Sequence, residues 1–118
     1  MTVNDLSIGE RVYLSRRRHS LTQRDVAGIL GITRRQMQEL ESNRFKGSMT
    51  YLDTFARIAA IHDHERCVIA RRRSGKSMSE MEAGTGMSRQ WIYEMETGRE
   101  HCGALLNYWG LVGDGLPV

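Results

Sequence analysis

Apolar residues recur at helical spacing along the chain, and a polar capping pattern stands at the head of each run. Ser7-x-x-Glu10 opens a helix over about 8–18, with Val12 and Arg16 on one face. Thr22-x-x-Asp25 opens a second over about 22–30, with Val26, Ala27 and Leu30 inward. Gly31 follows as a stop, because glycine tolerates the left-handed backbone that ends a helix. Thr33-x-x-Gln36 opens a third over about 33–42, whose inward stripe is Met37, Leu40 and Glu41. "SNRFKGS" reads as a loop. A fourth helix is expected over about 50–61, from Leu52, Phe55, Ala56 and Ala59 at helical spacing.

The pattern then starts again. A shift of 55 residues aligns Glu10–Arg44 with Glu65–Arg99 without a gap, giving ten identities in 35 positions. Arg16–Arg18 match Arg71–Arg73, Gly31 matches Gly86, Arg34 matches Arg89, and Glu41 matches Glu96. Leu14/Ile69, Thr22/Ser77, Ile32/Met87, Thr33/Ser88, Met37/Ile92 and Leu40/Met95 are conservative pairs. This is the mark of a tandem duplication. The second copy is expected to form helices near 64–74, 77–85, 88–97 and 102–111. "IHDHER" passes from one copy to the next with no flexible linker, so a fixed mutual orientation of two lobes, 1–61 and 62–118, is expected.

Composition narrows the class. The 118 residues are 40% hydrophobic and 26% charged, the balance of a folded globular chain. No apolar run approaches the ~20 residues of a membrane span. The N-terminal "MTVNDLSIGE" lacks the basic and apolar regions of a secretory signal, so a cytoplasmic protein is expected. The net charge of +3 is unevenly spread. Residues 1–61 hold ten Lys/Arg against six Asp/Glu, and residues 62–118 hold seven against eight. A basic first copy suits a polyanion, and the second suits one less well. All but Lys46 and Lys76 of the basic residues are arginines. Their planar fork fits phosphate and guanine, although a GC-rich coding sequence gives the same bias.

The stretch "LTQRDVAGILGITRRQMQELESNR" resembles the phage repressor/Cro (Xre-type) helix-turn-helix family. Leu21-Thr22-Gln23, Val26-Ala27, Leu30-Gly31-Ile32-Thr33, Met37, Leu40 and Glu41 carry the resemblance. It covers about residues 8–61 and, more weakly, 65–112. The implied fold is all-α: two tandem four-helix helix-turn-helix lobes packed as an internal pseudo-dimer. The implied function is sequence-specific double-stranded DNA binding, in a Cro-like transcription regulator or repressor of a phage, prophage or plasmid. Such proteins set the third helix in the major groove. By resemblance, Arg34, Arg35 and Glu39 read bases, with Gln38 on the same front. Arginine can grip guanine O6 and N7, and glutamate can accept from cytosine N4. Gln23 at the start of the second helix, and Asn43 and Arg44 after the third, would contact the phosphate backbone, and Thr22 and Thr33 are further candidates for DNA contact. Arg16–Glu41 and Arg71–Glu96 are implied to be structural salt bridges between first and third helices. Arg17, Arg18, Arg72 and Arg73 read as surface residues.

The second copy departs from the pattern. Glu82 replaces Ala27 at a helix crossing and must find a partner or force the helices apart. Met78 replaces Gln23, Lys76 replaces Leu21, Trp91 replaces Gln36 and Tyr93 replaces Gln38. Ser77, Ser88, Arg89, Gln90, Tyr93 and Arg99 are the remaining candidates for DNA contact there. Trp91 and Tyr93 are open to three readings: DNA contact, a protein interface, or packing as intramolecular core, which is the expectation for Trp91. Tyr108 and Trp109 are expected in the core. The alternative function is therefore a DNA-binding first lobe with a second lobe that binds or dimerises with protein, in the manner of an antirepressor or antitoxin.

His62-x-His64-x-x-Cys67 and His101-Cys102 match no zinc spacing, and Cys67 aligns with the core residue Val12, so no metal or cofactor is expected. No nucleophile–base arrangement, phosphate-cradling glycine loop or pair of catalytic carboxylates stands out, so no enzyme is expected. The expected partner is double-stranded DNA, met by a monomeric pseudo-dimer or a homodimer, with a protein partner through the second lobe as the alternative.

Overall fold

The computed structural model describes residues 1–45 and 56–111, and every regular element among them is helical. A short 3-10 turn at Val3–Asp5 leads into α1 (Ile8–Arg18), α2 (Gln23–Leu30) and α3 (Arg34–Glu41). The elements α4 (Asp63–Ser74), α5 (Met78–Thr85), α6 (Arg89–Glu96) and α7 (Gly103–Tyr108) follow. The chain divides into two compact units between Ala60 and Ile61, with Met1 and Thr2 belonging to the second. No helix among the described residues is long and apolar enough to cross a membrane.

Side-chain caps start most of these helices. Ser7/Glu10, Thr22/Asp25, Thr33/Gln36 and Ser77/Glu80 form full capping boxes. In each, the Ser or Thr oxygen accepts from a backbone N–H three residues on, and the acidic or amide side chain accepts from the cap's own N–H. At α6 only half the box survives. Ser88 Oγ accepts from Trp91 N at 3.2 Å, and Trp91 has no acceptor to return. Gly31, Gly75 and Gly86 end α2, α4 and α5 in the left-handed conformation.

Two expectations for helix extent need correction. Residues 50–55 of the helix expected over 50–61 lie outside the described residues. From Ala56 to Ile61 the chain is not helical. Ala56, Ile58 and Ile61 are buried while Ala59 is exposed, so burial there does not follow the helical spacing expected. The last helix ends at Tyr108 rather than near 111, because Gly110 turns left-handed (φ 69°) and Leu111 N–H closes back on Leu106 O at 2.8 Å.

Each unit has its own core. Val12, Val26, Ala27, Met37, Leu40 and Ala56 form the first. Cys67, Met81, Ile92, Met95, Cys102, Leu105 and Leu106 form the second. Cys67, Met81, Ile92 and Met95 stand 55 residues after Val12, Val26, Met37 and Leu40, so both cores are filled from the same four positions. Burying each such side chain contributes roughly 1.5–3 kcal/mol relative to exposure.

Lys76 adapts the second core to a charge where the first has the partly buried Leu21. Its Nζ donates to Tyr108 Oη at 2.7 Å and lies 5.2 and 5.7 Å from the centroids of the Tyr108 and Trp109 rings. The stem covers apolar surface while the ammonium is held at the Tyr108 hydroxyl, near the Trp109 ring. Tyr108 and Trp109 pack against the second core but are only partly buried. A Cβ on Gly84 would come within 2.9 Å of Tyr108 Oη, so a larger residue there would displace the hydroxyl that accepts from Lys76.

Candidate nucleic-acid interface

A buried ion pair fixes α3 against α1. Arg16 Nε donates to Glu41 Oε2 at 2.7 Å and Nη2 donates to Oε1 at 3.1 Å, a two-pronged geometry. Glu41 is 3% exposed, so this carboxylate has exchanged water for designed donors. Gln23 Nε2 also donates to Glu41 Oε1, at 3.0 Å, and Arg16 Nη1 donates to Leu21 O. One guanidinium thereby ties α1, the start of α2 and the end of α3. The second unit repeats the pair: Arg71 Nε and Nη2 donate to Glu96 at 2.8 and 3.1 Å. Met78, at the position of Gln23, supplies no amide there.

With Met37, Leu40 and Glu41 held inward, the opposite side of α3 faces solvent. Arg34, Arg35 and Gln38 are exposed and Glu39 is about 39% exposed. Arg34 has no ion-pair partner among the described residues. Arg35 Nε lies 3.4 Å from Glu39 Oε1, one turn on, with Arg35 88% exposed. Such a pair is weak, about 0.3–0.5 kcal/mol, and yields readily to another acceptor.

Two open clefts flank α3. One, about 560 Å³, is lined by Arg16, Arg24 and Arg34 with Leu21, Thr22 and Gln23. The other, about 420 Å³, is lined by Arg35, Gln38, Glu39, Ser42 and Arg44. Guanidinium groups on both sides of one protruding helix make a surface suited to a polyanion. Arg24 belongs to this surface and was not among the expected contacts. Its position in the first turn of α2, directly after Thr22 and Gln23, was the available signal.

Other expected contacts hold the fold as well. Thr22, Thr33, Ser77 and Ser88 each spend their hydroxyl oxygen capping a helix. Gln23 turns an amide N–H onto Glu41, leaving one N–H for another acceptor. Asn43 stands at φ 62°, and its Oδ1 accepts from Gly9 N at 3.0 Å. A Cβ on Gly9 would lie 2.5 Å from Leu40 O and 2.8 Å from Glu41 O, so the N-terminal turn of α1 touches the backbone at the end of α3. Arg44 remains exposed, its backbone N–H donating to Glu39 O at 2.7 Å.

The second unit presents a different surface on α6. Glu82 finds its partner in Arg89. Glu82 Oε1 accepts from Arg89 Nε at 3.1 Å and Oε2 from Arg89 backbone N at 3.3 Å, while Arg89 Nη2 donates to Ser79 Oγ at 2.8 Å. Gln90 Nε2 donates to Glu94 Oε1 at 3.1 Å. Trp91 is 48% exposed and lies outside the core of its own unit. It occupies the third position of the helix, where the first copy has the solvent-facing Gln36. Tyr93 is also 48% exposed, and the Arg99 guanidinium lies 5.9 Å from its ring centroid.

Burial pushes the Cys67 thiol well above its usual range, and the neighbouring Cys102 adds to the shift; Cys102 is raised by burial too. Both are free, buried thiols. Among the described residues no group of three or more His, Cys, Asp or Glu side chains is placed to hold a metal ion.

No family model, characterised protein or solved structure matches the chain.

Proposed function

We propose that the chain is a sequence-specific double-stranded DNA-binding protein, a transcription regulator of the phage repressor/Cro helix-turn-helix kind, with α3 as its reading helix. The carrying observation is the exposed face of α3, with Arg34 and Arg35 foremost, on a helix whose back is braced by Met37, Leu40 and the Arg16–Glu41 pair. Arg34 and Arg35 have the geometry to reach guanine edges, and Arg24 and Arg44 to neutralise phosphates on either side. The duplication adds a second helix-turn-helix to the same chain, so one chain takes the place of the usual dimer and reads an asymmetric site.

A second reading is supported by α6. Two half-exposed aromatics and a neutralised arginine make its front poorer in free positive charge than that of α3. Aromatic residues are enriched at protein interfaces. In this reading the first unit alone touches DNA and the second engages protein.

Selection of binding sites from random duplex DNA at physiological salt tests both. An asymmetric consensus over one helical turn or more supports two unlike reading heads. A palindrome supports a homodimer reading with the first unit. A folded sample that enriches no sequence refutes DNA reading.

A further inference from the structure

We infer that Glu82 is an internal phosphate mimic that silences Arg89, so that the second unit keeps the helix-turn-helix frame but does not read DNA through this arginine. The inference rests on the DNA-binding function proposed above.

The comparison between copies carries it. Arg89 is the counterpart of Arg34, and Glu82 of Ala27. In the first unit a buried methyl leaves Arg34 without an anionic neighbour at that point. In the second, a carboxylate grows from the same place and takes two donors of Arg89, the guanidinium Nε and the backbone N–H in the first turn of α6. Those are the donors a DNA phosphate or a guanine edge would need. Ser79, the counterpart of Arg24, accepts from Arg89 Nη2 at 2.8 Å. Two substitutions relative to the first copy thus act together. One removes a cation, and the other adds an anion that closes on the arginine left behind.

The pair is partly exposed, 58% for Arg89 and 38% for Glu82, so the ion pair itself is easily broken. The obstacle to DNA is the carboxylate. Whether or not Arg89 swings away, Glu82 stays at the mouth of α6 and repels an incoming phosphate. The charge at this reading point is therefore near zero whatever rotamer Arg89 adopts.

The test uses the full chain and fluorescence anisotropy, with the duplex selected above and a random duplex of equal length, across a salt series. Wild type is compared with Arg89→Ala, Glu82→Ala, Glu82→Gln and Glu82→Ala/Arg89→Ala. The expected result is that Glu82→Ala and Glu82→Gln bind about tenfold tighter than wild type, the scale of one regained contact of ~1.4 kcal/mol, whereas Arg89→Ala, which bares the Glu82 carboxylate, binds the selected and the random duplex more weakly by the same factor. The salt slope should steepen by about one with Glu82→Ala, and the double variant should return to wild type. The side chain of Glu82 is partly exposed, and helical circular dichroism verifies that each variant folds. A loss in Arg89→Ala that is fivefold or more larger on the selected duplex than on the random one overturns the proposal, because Arg89 would already be reading DNA. Unchanged affinity in both Glu82 variants, with wild type binding normally, also overturns it while leaving the DNA-binding function intact. No binding to any duplex by wild type or either Glu82 variant overturns that function and this inference together.

Discussion

The backbone N–H of Gly9 donates to Asn43 Oδ1 at 3.0 Å, across a gap that has no room for a Cβ. Their counterparts 55 residues on are His64 and Gly98, and there the small residue has changed sides. A Cβ on Gly98 (φ 80°) would lie 3.0 Å from the His64 ring. The same close approach between a first helix and the turn after a third is met in one copy by a glycine on the helix and in the other by a glycine on the turn. Gly9→Ala should therefore destabilise the protein by roughly 1–3 kcal/mol, because the facing carbonyl oxygens are backbone and cannot swing aside. Gly28→Ala is the contrasting control: its Cβ meets nothing within 4 Å inside α2, and it should stabilise by about 0.5–1 kcal/mol. Urea unfolding of the two variants checks both signs.

Arg16→Met should cost on the order of 3–5 kcal/mol, since it leaves the buried Glu41 carboxylate without its guanidinium. Arg16→Met/Glu41→Leu should recover most of that loss, because an apolar pair needs no desolvated charge. A double variant no more stable than the single one would mean that the amide of Gln23 and the packing around it, rather than the charge, set the cost.

Arg35→Ala should weaken binding to the selected duplex by about 1–3 kcal/mol and relax preference at one base pair. Arg44→Ala should instead weaken binding on all sequences alike and lower the salt slope by about one. Repeating the site selection with each variant separates the two. An equal loss on every sequence for Arg35→Ala would reassign it to phosphate.

Raising the pKa of a thiol on folding stabilises the native state below the unfolded thiol's pKa, roughly 8.5, and that stability is lost as pH rises above it. Cys67 and Cys102 both shift upward. Between pH 8 and 10 the wild type should lose on the order of 1–2 kcal/mol to this cause. Cys67→Val, which installs the residue of the first copy, should lose less over the same range. Urea midpoints at the two pH values are the measurement.

Helix starts and the two cores were legible because local chemistry and apolar spacing set them, whereas the Arg16–Glu41 pair, 25 residues apart, was implied by the family resemblance. A capping box announces itself in four residues, and the 55-residue offset lets one core vouch for the other. Ala59 misled because two apolar residues three apart suit a helix, while the residues buried there are Ala56, Ile58 and Ile61. Trp91 was expected to pack against the first copy. Its register at the third position of α6, where a capping box places a polar side chain, pointed outward. The contact between Gly9 and Asn43 is 34 residues apart in sequence and leaves no periodic trace. Glu82 was marked as needing a partner, but that the partner is Arg89 follows from the placement of α5 against α6, which spacing alone does not supply.

A tandem duplicate carries a hazard that a single domain escapes: while folding, each helix meets two look-alike docking places, its own and its twin's. The exchanged glycine discriminates between them. Were α4 to dock on the turn that follows α3, the imidazole of His64 would be driven into carbonyl oxygens that tolerate only hydrogen. Were α1 to dock on the turn that follows α6, Gly9 would face Gly98 across an empty space and forfeit its amide acceptor. Each first helix is thereby keyed to its own turn, and a chimera that trades one without the other should misfold even though every hydrophobic position still matches.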